Sequence, residues 1–236
     1  MHFIDTDKLR NITPRTFQNA YPYPWANPHG FLTQPAFDTL LARLPEPELF
    51  DARFGKQRKF GQESHDRYSL EYAEDLNIAP EWHQFVSELK SSEYTRWAKS
   101  LLNVWALKLS FHWHYTPRGC TVSPHCDSRT KLGSHIFYFN SEDNWKTEWG
   151  GKTLLLDDRK NFTSRSAPEF REFYRETPTK MLDNHSLIFK RTEHAWHGVK
   201  EINCPEDTLR KVFIVVFERV RPLKSIRKRL QAKLAA

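Results

Sequence analysis

Apolar and polar positions change their period part-way along this 236-residue chain. In the first third the spacing is helical. Residues 36–44, AFDTLLARL, put Phe37, Leu40, Leu41 and Leu44 on one side of a helix. Pro45 and Pro47 end it, because proline lacks the amide proton and restricts the residue before it. Residues 80–102 form the longest helical pattern, with Pro80 suited to a first turn and Trp82, Phe85, Val86, Leu89, Trp97 and Leu101 along one stripe. The stretch between, 50–78, is polar and aromatic and has no clear period.

From about residue 105 the period becomes two. In WALKLSFHWHY, Trp105, Leu107, Leu109, Phe111, Trp113 and Tyr115 alternate with Lys108, Ser110, His112 and His114. That pattern predicts a strand with one face on a core. Further short strands are predicted over 122–127, 135–140, 152–157, 180–182, 186–189, 195–202 and 209–220. Within the last, VFIVVF at 212–217 is apolar on both faces, as a covered central strand is. Many short strands between Pro, Gly and Asn/Asp turns predict a sandwich or barrel.

Composition narrows the classes. Apolar residues make up 39 % and aromatics 14 %, enough for a sizeable core, so global disorder is excluded. No run of about 18 apolar residues occurs, and the start MHFIDTDKLRNITPR carries acids and has no apolar signal segment, so a cytoplasmic location is expected. Cys120, Cys126 and Cys204 are odd in number and lack Cys-x-x-Cys spacing, which argues against a disulfide scaffold or a structural zinc site.

The net charge of +7 is a property of the tail. Residues 221–236 hold six of the 36 basic residues and no acid, which leaves 30 basic against 29 acidic residues in 1–220. Binding of phosphate backbone by the whole body is therefore not implied. Leu223, Ile226, Leu230 and Leu234 fall on one helical stripe of the tail. It reads as a helix docked on the body or on a second copy, or as a contact for an anionic membrane surface or acidic partner.

Three pieces of the strand-rich half can carry chemistry. His125 and Asp127 flank Cys126, and alternate residues of a strand share a face. A histidine follows some 70 positions later in HAWHGV, and Arg210 opens the last apolar strand. Two histidines and a carboxylate hold Fe(II) with positions left open. A fixed guanidinium can hold a dicarboxylate by a two-pronged hydrogen bond. Taken alone, His125 and Asp127 could equally be a hydrogen-bonded surface pair.

The ordered set is more specific. YTPRGCTVSPHCD is followed by HIFYFN, a Gly150-Gly151 pair, HAWHGV and then Arg210 before a buried strand. Over about 104–220 the chain resembles the 2-oxoglutarate/Fe(II)-dependent dioxygenase superfamily, on its prolyl-4-hydroxylase-like branch. The resemblance implies a mainly β fold with flanking helices: a double-stranded β-helix of jelly-roll, cupin-like form over 104–220, with an α-rich part over 1–103. Residues 1–220 would form one dioxygenase domain, with 221–236 as a basic tail.

The resemblance also implies function. Fe(II) would be held by His125, Asp127 and His197, and 2-oxoglutarate by Arg210 and Tyr115, with ascorbate as a possible reductant. Decarboxylation of 2-oxoglutarate to succinate would be coupled to hydroxylation of a substrate. His197 is preferred to His194 and His185 by its His-x-Val context, its 13-residue spacing to Arg210 and its small neighbours Ala195 and Val199. Arg129 and Lys131, just past the metal pair, are read as a solvated turn or as contacts for an anionic substrate. The His112/His114 pair is read as non-ligating, with one of them available to the substrate mouth. Cys126 faces away from the metal by alternation, as a small core residue.

Partners follow in the same way. A small molecule, a saccharide or a peptide is expected as substrate. The rival reading is a non-catalytic jelly-roll that binds a small molecule or sugar. Nucleic-acid dealkylation is disfavoured by Val216, which stands where that branch has a second arginine, and halogenation by the presence of Asp127.

Overall fold

A computed structural model describes residues 1–220; the basic tail and its helical stripe lie outside the described residues. The elements in chain order are α1 (Thr6–Asn11), α2 (Pro14–Gln18), β1 (Trp25–Ala26), α3 (Gln34–Ala42), β2 (Asp51–Arg53), β3 (Arg67–Glu71), α4 (Pro80–Leu89), α5 (Ser92–Leu102), β4 (Lys108–Thr116), β5 (Val122–His125), β6 (Lys131–Tyr138), β7 (Leu154–Asp157), β8 (Arg175–Pro178), β9 (Ser186–Lys190), β10 (Trp196–Val199) and β11 (Arg210–Glu218). No helix among them is long and apolar enough to cross a membrane.

The strands form two antiparallel sheets, one of order β1-β9-β6-β11-β4-β3-β2 and one of order β5-β10-β7-β8. Ile136, Tyr138, Leu187, Phe189 and Val212 of the larger sheet meet Leu155 and Val199 of the smaller in a shared core. This is the two-sheet arrangement of a jelly-roll core. β11 lies between β4 and β6. Its doubly apolar run is explained by that position: one face meets the second sheet and the other meets the helices.

The helices cover the outer face of the larger sheet. Trp82 and Phe85 of α4 lie over Phe213, with ring centroids 5.1 and 5.6 Å away. Burial of aromatic side chains of this size stabilises by roughly 1.5–3 kcal/mol each. The 80–102 pattern is two helices. Ser91 starts the second, its hydroxyl accepting the Tyr94 amide at 3.3 Å. A serine cap satisfies an amide that a continuous helix would otherwise bond internally.

Other expectations are corrected. The 1–103 part carries the described α-helices but is not simply α-rich, since β1, β2 and β3 join the larger sheet from it. Their strands are two to five residues long, too short to show a period. Trp105 precedes β4 and is 92 % exposed. The predicted strand at 180–182 is reduced to a single bridge between Leu182 and Asn140.

Candidate metal centre

The two histidines are brought together by strand pairing. β5 and β10 are antiparallel, and His125 stands directly opposite His197, with ring centroids 4.3 Å apart. Asp127 follows two residues after His125, just past the end of β5. One ligand atom from each of the three residues lies within 4.8 Å of the others. All three side chains are buried.

The imidazoles are oriented by their own backbone. Nδ1–H of His125 donates to the Ser123 carbonyl at 3.0 Å, and Nδ1–H of His197 to the Ala195 carbonyl at 3.0 Å. A carbonyl can only accept, so each ring carries its proton on Nδ1 and presents a bare Nε2. Burial lowers the pKa of both rings, and charged neighbours lower that of His125 further. Neutral imidazoles are the form that binds a metal.

Burial of Asp127 favours its acid form, but nearby Lys131 and His197 and the hydrogen bonds from Lys131 and Ser134 outweigh it. The carboxyl is held below its ordinary range. Two neutral nitrogens and a carboxylate on one face are the donor set of an open octahedral Fe(II) site.

The centre sits in a pocket of about 430 Å³ between the sheets, with Arg210 in the same wall. Arg210 is 5 % exposed. Its Nε donates to the Gly151 carbonyl at 2.6 Å and one Nη to Thr153 Oγ1 at 3.2 Å. Gly151 has φ +83°, and a Cβ there would stand 3.2 Å from Arg210 Cδ and 3.0 Å from the Trp145 ring. The second glycine of the pair thus makes room for the arginine and supplies its acceptor. Tyr138 lies alongside, its ring 5.6 Å from the guanidinium and its hydroxyl donating to Thr153 at 2.9 Å.

Tyr115 is not in this pocket. It sits on β4 opposite Lys211, one position out of step with the Thr116–Arg210 pair, so alternation turns it to the outer face. There its ring stacks on Phe50 at 4.2 Å and its hydroxyl donates to the Pro45 carbonyl at 2.9 Å. The tyrosine expected beside Arg210 is therefore replaced by Tyr138, whose signal lay in the HIFYFN strand.

Arg129 is also displaced. It is exposed and pairs with Glu193 at 3.3 Å. Lys131 does line the pocket, and its ammonium bonds Oδ1 of Asp127 at 2.8 Å. Of the other histidines, His194 donates from Nδ1 to Asp158 at 2.9 Å, and His185 lies against His29. His114 lines the pocket, whereas His112 lies near Ser110. Cys126 packs with Leu154, Leu156, Phe173 and Trp196 and also borders the pocket.

The segment without a period supplied residues that sequence reasoning missed. His65 lies 4.4 Å from His125, ring to ring, with Nε2 3.3 Å from Ser123 Oγ. Burial, followed by nearby Arg58 and Arg67, lowers its pKa to about 3. Arg58 reaches the same ring, and Arg67 donates to the His65 carbonyl at 2.6 Å.

Known structures share this arrangement of sheets. A prolyl-4-hydroxylase from Pseudomonas putida superposes with a TM-score of 0.64 at 14 % identity, over 88 % of this chain and 99 % of that one. The chain has the fold of the prolyl-4-hydroxylase-like 2-oxoglutarate/Fe(II) oxygenases. A prolyl hydroxylase from Trichoplax adhaerens, in complex with a hypoxia inducible factor oxygen degradation domain peptide, gives 0.63 at 14 % identity over 90 % and 91 %. The non-heme α-ketoglutarate-dependent epimerase SnoN from nogalamycin biosynthesis gives 0.59 at 12 % identity over 92 % and 87 %. No protein-family model and no curated protein matches the sequence. The likeness to this oxygenase fold is thus one of architecture, and the chemistry rests on the side chains.

Proposed function

We propose that this chain is an Fe(II)- and 2-oxoglutarate-dependent oxygenase that hydroxylates a substrate while 2-oxoglutarate is converted to succinate and carbon dioxide. The observation that carries the reading is the convergence of His125, Asp127 and His197 in one pocket with the buried guanidinium of Arg210, which has no carboxylate partner among the described residues. The donor set fits Fe(II), because the bare Nε2 atoms and the ionised carboxylate aim at one space. Bound iron, with ascorbate to keep it reduced, supplies the activation of dioxygen that no side chain can provide.

The chain's own contribution is positioning. Arg210 offers a planar fork suited to the distal carboxylate of 2-oxoglutarate, and its Nε and one Nη are held by Gly151 and Thr153. Tyr138 fixes Thr153 in turn. Ile136, Phe189, Val212 and Ile214 line the walls and exclude water around the co-substrate.

The test is twofold. Purified protein should bind one Mn(II) together with 2-oxoglutarate without oxygen, read by calorimetry. With Fe(II), oxygen and ascorbate it should form succinate at a rate that rises with a true substrate. Binding of a small molecule with no succinate under any substrate would establish the non-catalytic jelly-roll instead.

A further inference from the structure

We infer that the outer part of the metal pocket binds a phosphate group of the substrate through Arg58 and Arg67; the word substrate here rests on the oxygenase reading, whereas the anion site does not. The pocket is lined by Arg53, Lys56, Arg58, Arg67, Lys131 and Arg210, against a single carboxylate, that of Asp127. Lys56 is exposed to solvent, and two of the other cations are answered. Arg53 pairs with Asp51 at 3.2 Å and Lys131 with Asp127 at 2.8 Å. Arg210 is suited to the co-substrate. Among the described residues, no carboxylate lies within ion-pair distance of Arg58 or Arg67.

Both unanswered guanidinia are largely withdrawn from water and face like charge. Burial weakens the charged form of each; Arg58 is favoured by Asp127 and then opposed by Arg67, and Arg67 is opposed by Arg53 and then favoured by Asp66, so burial is the larger effect at both. Arg67 Nε is fully buried and has no hydrogen-bond partner. A buried, unpaired donor on a charged group is costly, and such groups are ordinarily matched by an anion.

The cofactors cannot supply the match. A metal dication and a 2-oxoglutarate dianion cancel, so the excess of positive charge persists when both are bound. A second anion is needed.

The geometry favours phosphate over carboxylate. Arg58 and Arg67 converge on one residue, His65, the first touching its ring and the second its carbonyl. A phosphomonoester carries a charge of about −1.5 to −2 and three acceptor oxygens, enough for two guanidinium forks. A carboxylate has one charge and two oxygens, which a single fork satisfies. His65 also lies against His125 and Ser123, so a phosphate held there would be one imidazole away from the metal centre.

The experiment uses the full-length protein loaded with Mn(II) and saturated with 2-oxoglutarate. Inorganic phosphate, phenyl phosphate, benzoate and phenol are titrated in turn by calorimetry. The phosphates should bind, more weakly as ionic strength rises, and benzoate and phenol should bind at least tenfold less tightly. R58Q and R67Q should each weaken phenyl phosphate by about tenfold or more without weakening Mn(II) or 2-oxoglutarate binding. Arg210→Gln should do the reverse.

Retained co-substrate binding serves as the folding control; if a Gln variant loses it, Arg58→Lys or Arg67→Lys replaces it, with an intermediate loss expected. The proposal is overturned by failure of both phosphates to bind, by benzoate binding as tightly as phenyl phosphate, or by undiminished phosphate affinity in both arginine variants. A protein that binds phenyl phosphate through Arg58 and Arg67 but takes no 2-oxoglutarate would keep the anion site and remove the oxygenase reading.

Discussion

The ammonium of Lys131 stands 2.8 Å from Oδ1 of Asp127, the carboxylate that completes the His-Asp-His cluster. Ser134 Oγ donates to the other oxygen at 3.3 Å. A cation entering the cluster meets a positive charge already seated on its anionic ligand. Lys131→Met should therefore raise Mn(II) affinity by about two- to tenfold, as expected for a partly exposed pair. The metal-free variant should also melt lower, because a buried carboxylate is left without its partner. Metal titration with a melting curve checks both, and a fall in affinity would show that Lys131 orients the carboxylate rather than competing for it.

Asp127→Ala removes the only anionic member of the cluster. Tight Mn(II) binding and Fe(II)-dependent succinate formation should both be lost, with 2-oxoglutarate binding reduced in parallel. Turnover like that of the unsubstituted protein would falsify the metal assignment.

Arg210→Lys keeps a positive charge but loses the fork and the Nε donor to Gly151. The apparent constant for 2-oxoglutarate should rise by about tenfold or more, since a charge-assisted pair contributes roughly 1.5–3 kcal/mol. Steady-state kinetics would report an unchanged constant if another cation held the carboxylate.

Tyr138 and Tyr115 should behave oppositely. Tyr138→Phe deletes the hydroxyl that fixes Thr153 beside Arg210, so the 2-oxoglutarate constant should rise severalfold with little change in metal affinity. Tyr115→Phe deletes a bond to the Pro45 carbonyl on the far face. It should lower the melting temperature, as loss of a buried hydrogen bond costing about 1 kcal/mol does, and leave the constant alone. Comparison of the two variants by kinetics and melting decides which tyrosine serves the pocket.

His135 gives a pH dependence of stability. It is fully buried between the Tyr94 hydroxyl and Ser186 Oγ, and burial lowers its pKa from 6.5 to about 3. Between those values the unfolded chain binds a proton that the folded chain refuses. Its contribution is complete above about pH 6.5 and is lost as pH falls toward 3. His135→Gln should therefore show a shallower fall of melting temperature from pH 6.5 to 4 than the unsubstituted protein. Parallel curves would mean that His135 takes up its proton without disrupting the fold.

Much of the strand-rich half was legible because its signals are local. Alternation over 105–115 and the doubly apolar 212–217 run mark a half-covered and a central strand, which β4, from Lys108 onward, and β11 are. The His-x-Asp spacing puts two side chains on one face wherever the chain is extended. The same rule, applied from Arg210 and the β4–β11 register, is what excludes Tyr115, but the register itself was not readable. One step of register moves every side chain to the other face.

The sequence by itself determined the periods, the turns and the types of donor available: a His-x-Asp pair, three later candidate histidines, a glycine pair and a late arginine. Only the tertiary structure decided which of them meet. His125 and His197 are 72 positions apart and become neighbours through the β5–β10 pairing, and Arg210 reaches the pocket because Gly151 has no side chain. Arg58, His65 and Arg67 come from a stretch whose short strands leave no periodic trace, yet they stand against the metal centre. The physical reason is common to all: periodicity reports which face of an element is buried, whereas a site is made where faces of elements remote in sequence are packed together.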